Sequence, residues 1–207
     1  MQSLPKDIHV LTIDDKQQFS YASEYLDTDQ LDFYLLHHNQ RKNRLKIRIR
    51  HYLDTDTRFL EIKEKNNRGT TSKTRHEING YLEDDLIAEH VEGLEKLEES
   101  GFGKKLFTQF DRITLVNESL SERLTIDTNL SFRSIEDDKI TYKNLVVFEL
   151  KQLKSDRYST FYNALKTMKI RPKSFSKYCL GISNLYDIKQ NRFLQQQREI
   201  TKIENYA

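Results

Sequence analysis

Two neighbouring segments of the sequence concentrate lysine and arginine on one face of a predicted antiparallel hairpin. In residues 43–52, apolar and basic side chains alternate strictly, and in a strand alternate residues share a face. One face then carries Arg44, Lys46, Arg48 and Arg50. The second segment, residues 59–65, adds Glu61, Lys63 and Lys65 on one face. Four like charges along about 20 Å of strand repel one another. The pattern therefore indicates a surface for an extended anion, with an ordinary solvent-facing sheet as the simpler alternative.

Positive charge is concentrated in one part of the chain. The 207 residues carry a formal net charge of only +2. Residues 41–75 contain twelve Lys or Arg against four Asp or Glu, whereas residues 76–99 contain one Lys against nine acids. A focused basic region in a nearly neutral chain favours a specific anion site over general affinity for polyanions.

Later segments supply further cations on the faces of predicted strands or at the start of a short helix. These are Lys73, Arg112, Arg123, Arg133, Lys151, Lys173 and Lys177. In the segment 122–133 the alternation predicts that Arg123 and Arg133 share one face. Arginine forks match phosphate oxygens in pairs and lysine adds point charge, so we expect a chain of phosphates as the ligand. Glu61 and Glu149 suit a hard divalent cation, Mg²⁺ or Mn²⁺, held together with the substrate phosphates.

The predicted fold class is α+β, with an antiparallel β-barrel lined by basic residues and flanked by helices. Apolar residues at helical spacing predict helices near residues 82–97 and 158–168, and these would cover the apolar outside of the barrel. No linker divides the sequence, so we expect one domain over residues 1–207, with a core at about 20–185 and a polar tail at 187–207.

Several other kinds of site are poorly supported by the sequence. A phosphate-binding P-loop would need a glycine-rich segment followed by Lys-Ser or Lys-Thr, and none occurs. The six histidines are scattered, which disfavours zinc. Cys179 is the single cysteine, which excludes an intrachain disulfide and favours a reducing, cytoplasmic location. No apolar run approaches about 20 residues, so no transmembrane helix is expected.

Six segments, taken in order, resemble the motifs of the vacuolar transporter chaperone (VTC) domain. They are Ser23 to Thr28, Asn43 to Tyr52, Phe59 to Lys65, Ser121 to Thr128, Val147 to Lys151 and Phe175 to Tyr178. This domain is the polyphosphate polymerase branch of the triphosphate tunnel metalloenzymes, or CYTH-like superfamily. The resemblance implies an antiparallel β-tunnel that binds triphosphate or polyphosphate with Mn²⁺ or Mg²⁺. The family's usual first strand and helix have no counterpart before Ser23, so the resemblance also predicts a tunnel that either lacks its N-terminal strand or is completed by another element.

The resemblance also implies roles for individual residues. Catalytic roles would fall to Arg48, Arg50, Lys63, Lys73, Arg123 and Lys177. Further phosphate contacts would come from Arg44, Lys46, Lys65, Arg112, Arg133, Lys151 and Lys173. The metal ligands would be Glu149 and Glu61.

The function implied first is a metal-dependent transfer of the γ-phosphoryl group of ATP onto a growing inorganic polyphosphate chain. Two alternatives use the same tunnel: an inorganic or RNA 5′-triphosphatase, and a non-catalytic polyphosphate-binding module. The expected partners are ATP or triphosphate and polyphosphate, with no specific nucleic acid. A membrane partner protein is compatible with this sequence.

Overall fold

The computed structural model describes residues 7–78, 83–91, 98–154 and 156–205. Within these ranges nine strands form a single antiparallel sheet with helices packed around it. The strands are β1 (Ile8–Val10), β2 (Gln18–Asp27), β3 (Arg44–Tyr52), β4 (Thr57–Lys65), β5 (Thr71–Glu77), β6 (Gly103–Asn117), β7 (Glu122–Ser134), β8 (Lys139–Tyr142) and β9 (Val147–Gln152). The helices are α1 (Asp32–His38), α2 (Glu83–His90), α3 (Thr160–Thr167), α4 (Lys177–Leu185) and α5 (Leu194–Asn205). The α+β class predicted from the sequence is therefore confirmed.

The sheet curls into an open trough. Its central path runs β5-β4-β3-β2-β6-β7, and β8 and β9 pair with successive halves of β7. Short β1 pairs with β6 beyond the end of β2. Among the described residues no ladder joins β5 to β8 or β9, so the sheet is curled rather than closed. Side chains of β5 and β9 nevertheless line one common cavity, which shows that the two edges face each other.

Strand register aligns the basic residues in rows across the sheet. Arg48 on β3 pairs with Glu61 on β4, and Glu61 pairs with Arg75 on β5. A second row contains Lys46, Lys63 and Lys73. Residues directly opposite in an antiparallel pair point to the same face, so each row projects into the trough.

The outer face of the trough is apolar and covered by helices, as the alternation predicts. Ile47, Ile49 and Leu60 are buried against Leu86 and Ile87 of α2. Farther along the same outer face, Phe161 of α3 packs with Ile8 and Leu124. This arrangement leaves the basic faces of β3, β4 and β5 inside.

Helix α4 closes the trough at one end. Its Tyr178, Leu180 and Ile182 are buried together with Leu106 and Phe132 of the sheet. The segment 187–207, predicted as a polar tail, contains α5, and Ile200 of that helix is buried in the same cluster. The tail therefore packs against the body of the protein through an apolar side chain. Its glutamine-rich composition does not predict this contact.

Two short strands were not anticipated, and one predicted helix is only partly described. β1 and β8 have three and four residues, too few for a recognisable alternation. Of the helix predicted near residues 82–97, residues 83–90 are helical, whereas Leu82, Leu94 and Leu97 lie outside the described residues. Ahead of Ser23, where the resemblance predicts a missing strand or a substitute for it, β1 adds three paired residues to the sheet.

In the described part of the chain, none of the helices is both long and apolar enough to cross a bilayer.

Asp27 fixes the junction between β2 and α1. Its carboxylate, fully buried, accepts hydrogen bonds from the backbone amides of Thr28, Phe33 and Tyr34 at 2.8, 2.9 and 3.0 Å. It also accepts one from the Tyr178 hydroxyl. Leu31, at the position that normally caps a helix, provides no side-chain cap. Asp27 therefore caps α1 from a distance and ties it to α4.

We expect Asp27→Ala to lower the free energy of unfolding by about 2–4 kcal/mol, because it leaves several buried donors without an acceptor. Urea denaturation of the two proteins measures the difference. Asp187→Ala is the matched control, since Asp187 is exposed and, within the described residues, its side chain forms no hydrogen bond or ion pair. Its loss should cost less than about 1 kcal/mol. Equal losses for both variants would contradict the capping role.

Candidate functional site

The inner face of the trough encloses a cavity of about 650 Å³. Among the described residues, eleven lysine and arginine side chains and three carboxylates line it. The basic residues are Lys46, Arg48, Arg50, Lys63, Lys73, Arg75, Arg112, Arg123, Lys151, Lys173 and Lys177. The carboxylates are Glu61, Asp127 and Glu149. A cavity with eight more cations than carboxylates is electrostatically suited to a ligand with several negative charges.

Glu61 neutralises the arginines on one wall of the cavity. Its side chain is 5% exposed and accepts a hydrogen bond from Arg48 Nε at 2.7 Å. Arg50, Lys73 and Arg75 place nitrogen atoms 3.9, 3.6 and 3.8 Å from its oxygens. Burial raises the pKa of Glu61, but the charges of Arg48 and Arg50 outweigh it and lower that pKa to about 2. Glu61 is therefore a permanent anion at neutral pH.

Asp127 has the same role on the opposite wall. Its carboxylate is 1% exposed and receives two hydrogen bonds from Arg112, at 2.6 and 2.8 Å. Lys177, at the start of α4, donates a third. Burial opposes ionisation, yet the hydrogen bond and charge of Arg112 together with Lys177 lower the pKa of Asp127. This pair of contacts holds Lys177 above the ring of Phe110, 4.2 Å from its centroid.

Tyr25 provides an ionisable hydroxyl at the floor of the cavity. It is 2% exposed, and its oxygen accepts a hydrogen bond from Arg48 Nη1 at 3.2 Å. Lys46 Nζ lies 4.9 Å from the centroid of its ring. Burial raises the pKa of Tyr25, but Lys46, Arg48 and Arg50 lower it to about 7. The phenol is therefore a partial anion at neutral pH, held by the surrounding cations.

Several cations of the cavity have no carboxylate partner. Within the described ranges, Lys46, Lys63 and Arg123 form no ion pair. Burial lowers the pKa of Lys46, as the nearby Arg48 does. An anionic ligand would supply the missing counter-charge and raise the pKa of Lys46 again. A bound phosphate chain would therefore stabilise the charged forms of these side chains most.

The two predicted metal ligands lie in different surroundings. Glu149 on β9 faces the cavity, is 50% exposed, and has one close neighbour, Lys151 Nζ, at 3.3 Å. Its free oxygen and exposure fit a divalent cation shared with substrate phosphates, the usual arrangement for Mg²⁺. Glu61 does not fit, because cations already surround its carboxylate. Among the described residues, no group of three or more His, Cys, Asp or Glu side chains is placed to hold a metal ion.

The structure brings twelve of the fifteen predicted site residues to the cavity. Arg44 and Lys65 do not line it; they form the next cross-strand pair beyond Lys46 and Lys63. Arg133 does not line it either, and it instead pairs with Asp137 at 3.2 Å.

A β-bulge explains the position of Arg133. Asn129 has φ of 53°, and the pairing of β7 with β6 shifts register at this point. Leu124 therefore packs on the outside with Phe161, whereas Leu130 packs inside with Phe110. The expectation that Arg123 and Arg133 share a face is wrong, because the bulge reverses the alternation between them.

Arg75, Asp127 and Tyr25 belong to the site but were not assigned to it from the sequence. Arg75 is two residues from Lys73 on the same strand face, so alternation alone could have identified it. Asp127 likewise shares the alternation of Arg123 and Thr125. No sequence signal identifies Tyr25, because its position on the adjacent strand β2 depends on the β2–β3 register.

The model of the VTC domain family matches residues 2–186 of the sequence. No curated protein matches the sequence significantly. Solved structures similar to this chain include an adenylate cyclase candidate from Bacillus halodurans, 17% identical, with 77% of this chain and 80% of that chain covered and a TM-score of 0.48. The protein PH1819 from Pyrococcus horikoshii OT3 is 16% identical, with 94% and 89% covered and a TM-score of 0.40. An adenylyl cyclase candidate from Hippeastrum, described as having a dominant triphosphatase activity, is 16% identical, with 83% and 85% covered and a TM-score of 0.47.

We expect Glu61→Gln to destabilise the free protein by about 3–5 kcal/mol, because it leaves largely buried arginines without their counter-ion. Saturating inorganic triphosphate should recover much of this loss by supplying the missing negative charge. Thermal unfolding with and without triphosphate measures both effects. Glu149→Gln, at the half-exposed carboxylate, should change the stability of the free protein by less than about 1 kcal/mol. A Glu61→Gln protein as stable as the wild type would contradict the role of Glu61 as counter-ion.

We also expect one tyrosine to ionise near pH 7 in the free protein. The pKa of Tyr25 is lowered, so its contribution to stability grows as pH rises from about 7 to about 10 and is lost as pH falls through 7. Titration of tyrosinate absorbance should show one group in this range, and Tyr25→Phe should remove it. Tyr142→Phe is the control, because burial raises the pKa of Tyr142 to about 12. A first ionisation above about pH 9 in the wild type would rule out the phenolate.

Proposed function

Because the chain belongs to the VTC domain family, we propose that its cavity transfers the γ-phosphoryl group of ATP to the end of an inorganic polyphosphate chain. The observation that carries the proposal is the charge of the cavity: eleven cations on converging strands against three carboxylates. Phosphoryl transfer depends mainly on positioning and on neutralising charge, and this lining supplies both.

Arg48, Arg50 and Arg112 are the residues best placed to hold the reacting phosphates. Glu61 and Asp127 orient two of these guanidinium groups through in-plane contacts and leave their remaining donors for phosphate oxygens. Such preorganisation costs no rearrangement when charge develops in the transition state. Lys177 and Lys63 would add point charges beside the transferred group.

Glu149 is the residue we assign to a divalent cation, Mn²⁺ or Mg²⁺. When bound, the cation would neutralise oxygens of the reacting phosphates. Lys151, 3.3 Å from Glu149 in the free protein, would then be released to contact phosphate. Burial opposes the charge of Glu149, but Lys151 lowers the pKa of Glu149, which keeps the carboxylate ionised and available as a ligand.

The carboxylates of the cavity favour a phosphate acceptor over water. The bond between Pγ and the bridging oxygen of ATP breaks, ADP leaves, and a terminal oxygen of polyphosphate bonds to Pγ. That terminal oxygen is already ionised at neutral pH and needs no general base. Hydrolysis benefits from a base with a pKa near the working pH. The pKa values of Glu61, Asp127 and Glu149 are all lowered, and the Tyr25 phenol, with a pKa of about 7, is 2% exposed and already accepts a hydrogen bond from Arg48. This difference is our reason for placing the triphosphatase second.

Phosphorus NMR tests the proposal. The reactions contain ATP and Mg²⁺ or Mn²⁺, and the metal is removed before the spectrum is recorded. We expect chain-internal phosphate signals that grow together with ADP. Orthophosphate release without polymer would establish a triphosphatase instead. Binding of triphosphate without any turnover would leave a polyphosphate-binding module and would overturn the proposed reaction.

Glu149→Gln should reduce this turnover at least tenfold while leaving the folded structure intact, because the amide is a weaker metal ligand than the carboxylate. Glu136→Gln is the matched control, since Glu136 is an exposed glutamate outside the cavity. Wild-type rates in Glu149→Gln would show that Glu149 is not the metal ligand.

A further inference from the structure

Arg75 is held differently from the other cations of the cavity. Its guanidinium carbon lies 3.6 Å from the centroid of the Phe59 ring, so one face of the planar group rests on an aromatic surface. Its Nη2 donates to the Tyr52 hydroxyl at 3.0 Å, and its Nε lies 3.8 Å from Glu61. One face of the guanidinium is therefore covered by the protein and one of its donors is used by Tyr52, whereas Glu61 lies at ion-pair distance.

The remaining surface of Arg75 is the opposite face, which opens to the cavity. The side chain is 42% exposed and lines the cavity wall. A phosphate binds a guanidinium in its plane, through N–H donors, and Arg75 keeps such donors besides the one that Tyr52 accepts. Its open face suits a different group, a planar π-system, which stacks on arginine without using those donors.

This surface lies at a useful distance from the phosphate-binding arginines. Arg75, Glu61 and Arg48 form one cross-strand row, and adjacent strands are about 4.8 Å apart. The backbone of Arg75 is therefore about 10 Å from that of Arg48, and both guanidinium groups reach inward to the Glu61 carboxylate. A nucleotide whose base lies on Arg75 would therefore place the phosphates that follow its ribose on the side of Arg48. Tyr52, which anchors Arg75, follows Arg50 by two residues on the same strand face.

We propose that Arg75, backed by Phe59 and anchored by Tyr52, forms the stacking surface for the base of a nucleoside triphosphate donor. The inference rests on the proposed function, because it assigns the donor's nucleoside to the same cavity. Stacking on one open face does not select among bases, so ATP and GTP should bind with similar affinity.

Calorimetry tests the inference by measuring the affinities for ATP and for inorganic triphosphate. Both titrations are made in EDTA so that neither ligand turns over. Arg75→Lys keeps the charge and removes the plane, so we expect it to weaken ATP binding about tenfold while triphosphate binding changes less than about twofold. Phe59→Leu, which removes the ring beneath the guanidinium, should show the same selectivity. Lys73→Ala is the control, because it removes a cation two residues away on the same face and should weaken both ligands alike.

The ratio of the two affinities decides the result. An equal loss for ATP and triphosphate in Arg75→Lys and in Phe59→Leu would overturn the stacking surface and make Arg75 one more phosphate contact. Absence of turnover in the NMR experiment would defeat the proposed reaction, yet the binding ratio would still decide this inference. A wild-type protein that binds neither ligand would overturn both.

Discussion

Repulsion among cations that share one cavity is the constraint on which the rest of the structure depends. Within the part of the chain that the structure describes, eleven basic side chains converge on a space of about 650 Å³, and burial makes their mutual repulsion stronger than it would be in water. The fold limits this cost with two buried carboxylates, Glu61 and Asp127, each bound to an arginine from the adjacent strand. The phenol of Tyr25 adds a third, titratable counter-charge beside Arg48. The cavity is therefore only partly neutralised, and the uncompensated charge attracts the ligand.

The sequence predicts the wall of the cavity formed by β3 and β4 almost completely. Strict alternation from Arg44 to Arg50 fixes which side chains face inward, and the apolar alternates show that the other face must be covered. The same reasoning predicts a barrel, whereas the sheet of the described residues is curled and not closed. These features are predictable because each follows from the two-residue period of a strand.

Features that depend on register between distant strands could not be predicted in the same way. Glu61 was expected to bind metal, and nothing in its own segment shows that four cations from β3 and β5 surround it. The counter-ion role of Asp127 depends on β6 lying beside β7 and on the placement of α4, which brings Lys177 to the same carboxylate. Such roles arise from pairing across many residues of chain, which local periodicity does not encode.

The bulge at Asn129 has a consequence for how the fold can vary between relatives. It divides β7 into a half whose inward residues face the polar cavity and a half whose inward residues face the apolar core. Moving the bulge by two residues along β7 would convert one layer of the lining into core, or one layer of core into lining. The position of the bulge thus determines the depth of the cavity. A single residue of left-handed backbone can therefore set the length of the ligand that the cavity accommodates, without any change in the arginines that line it.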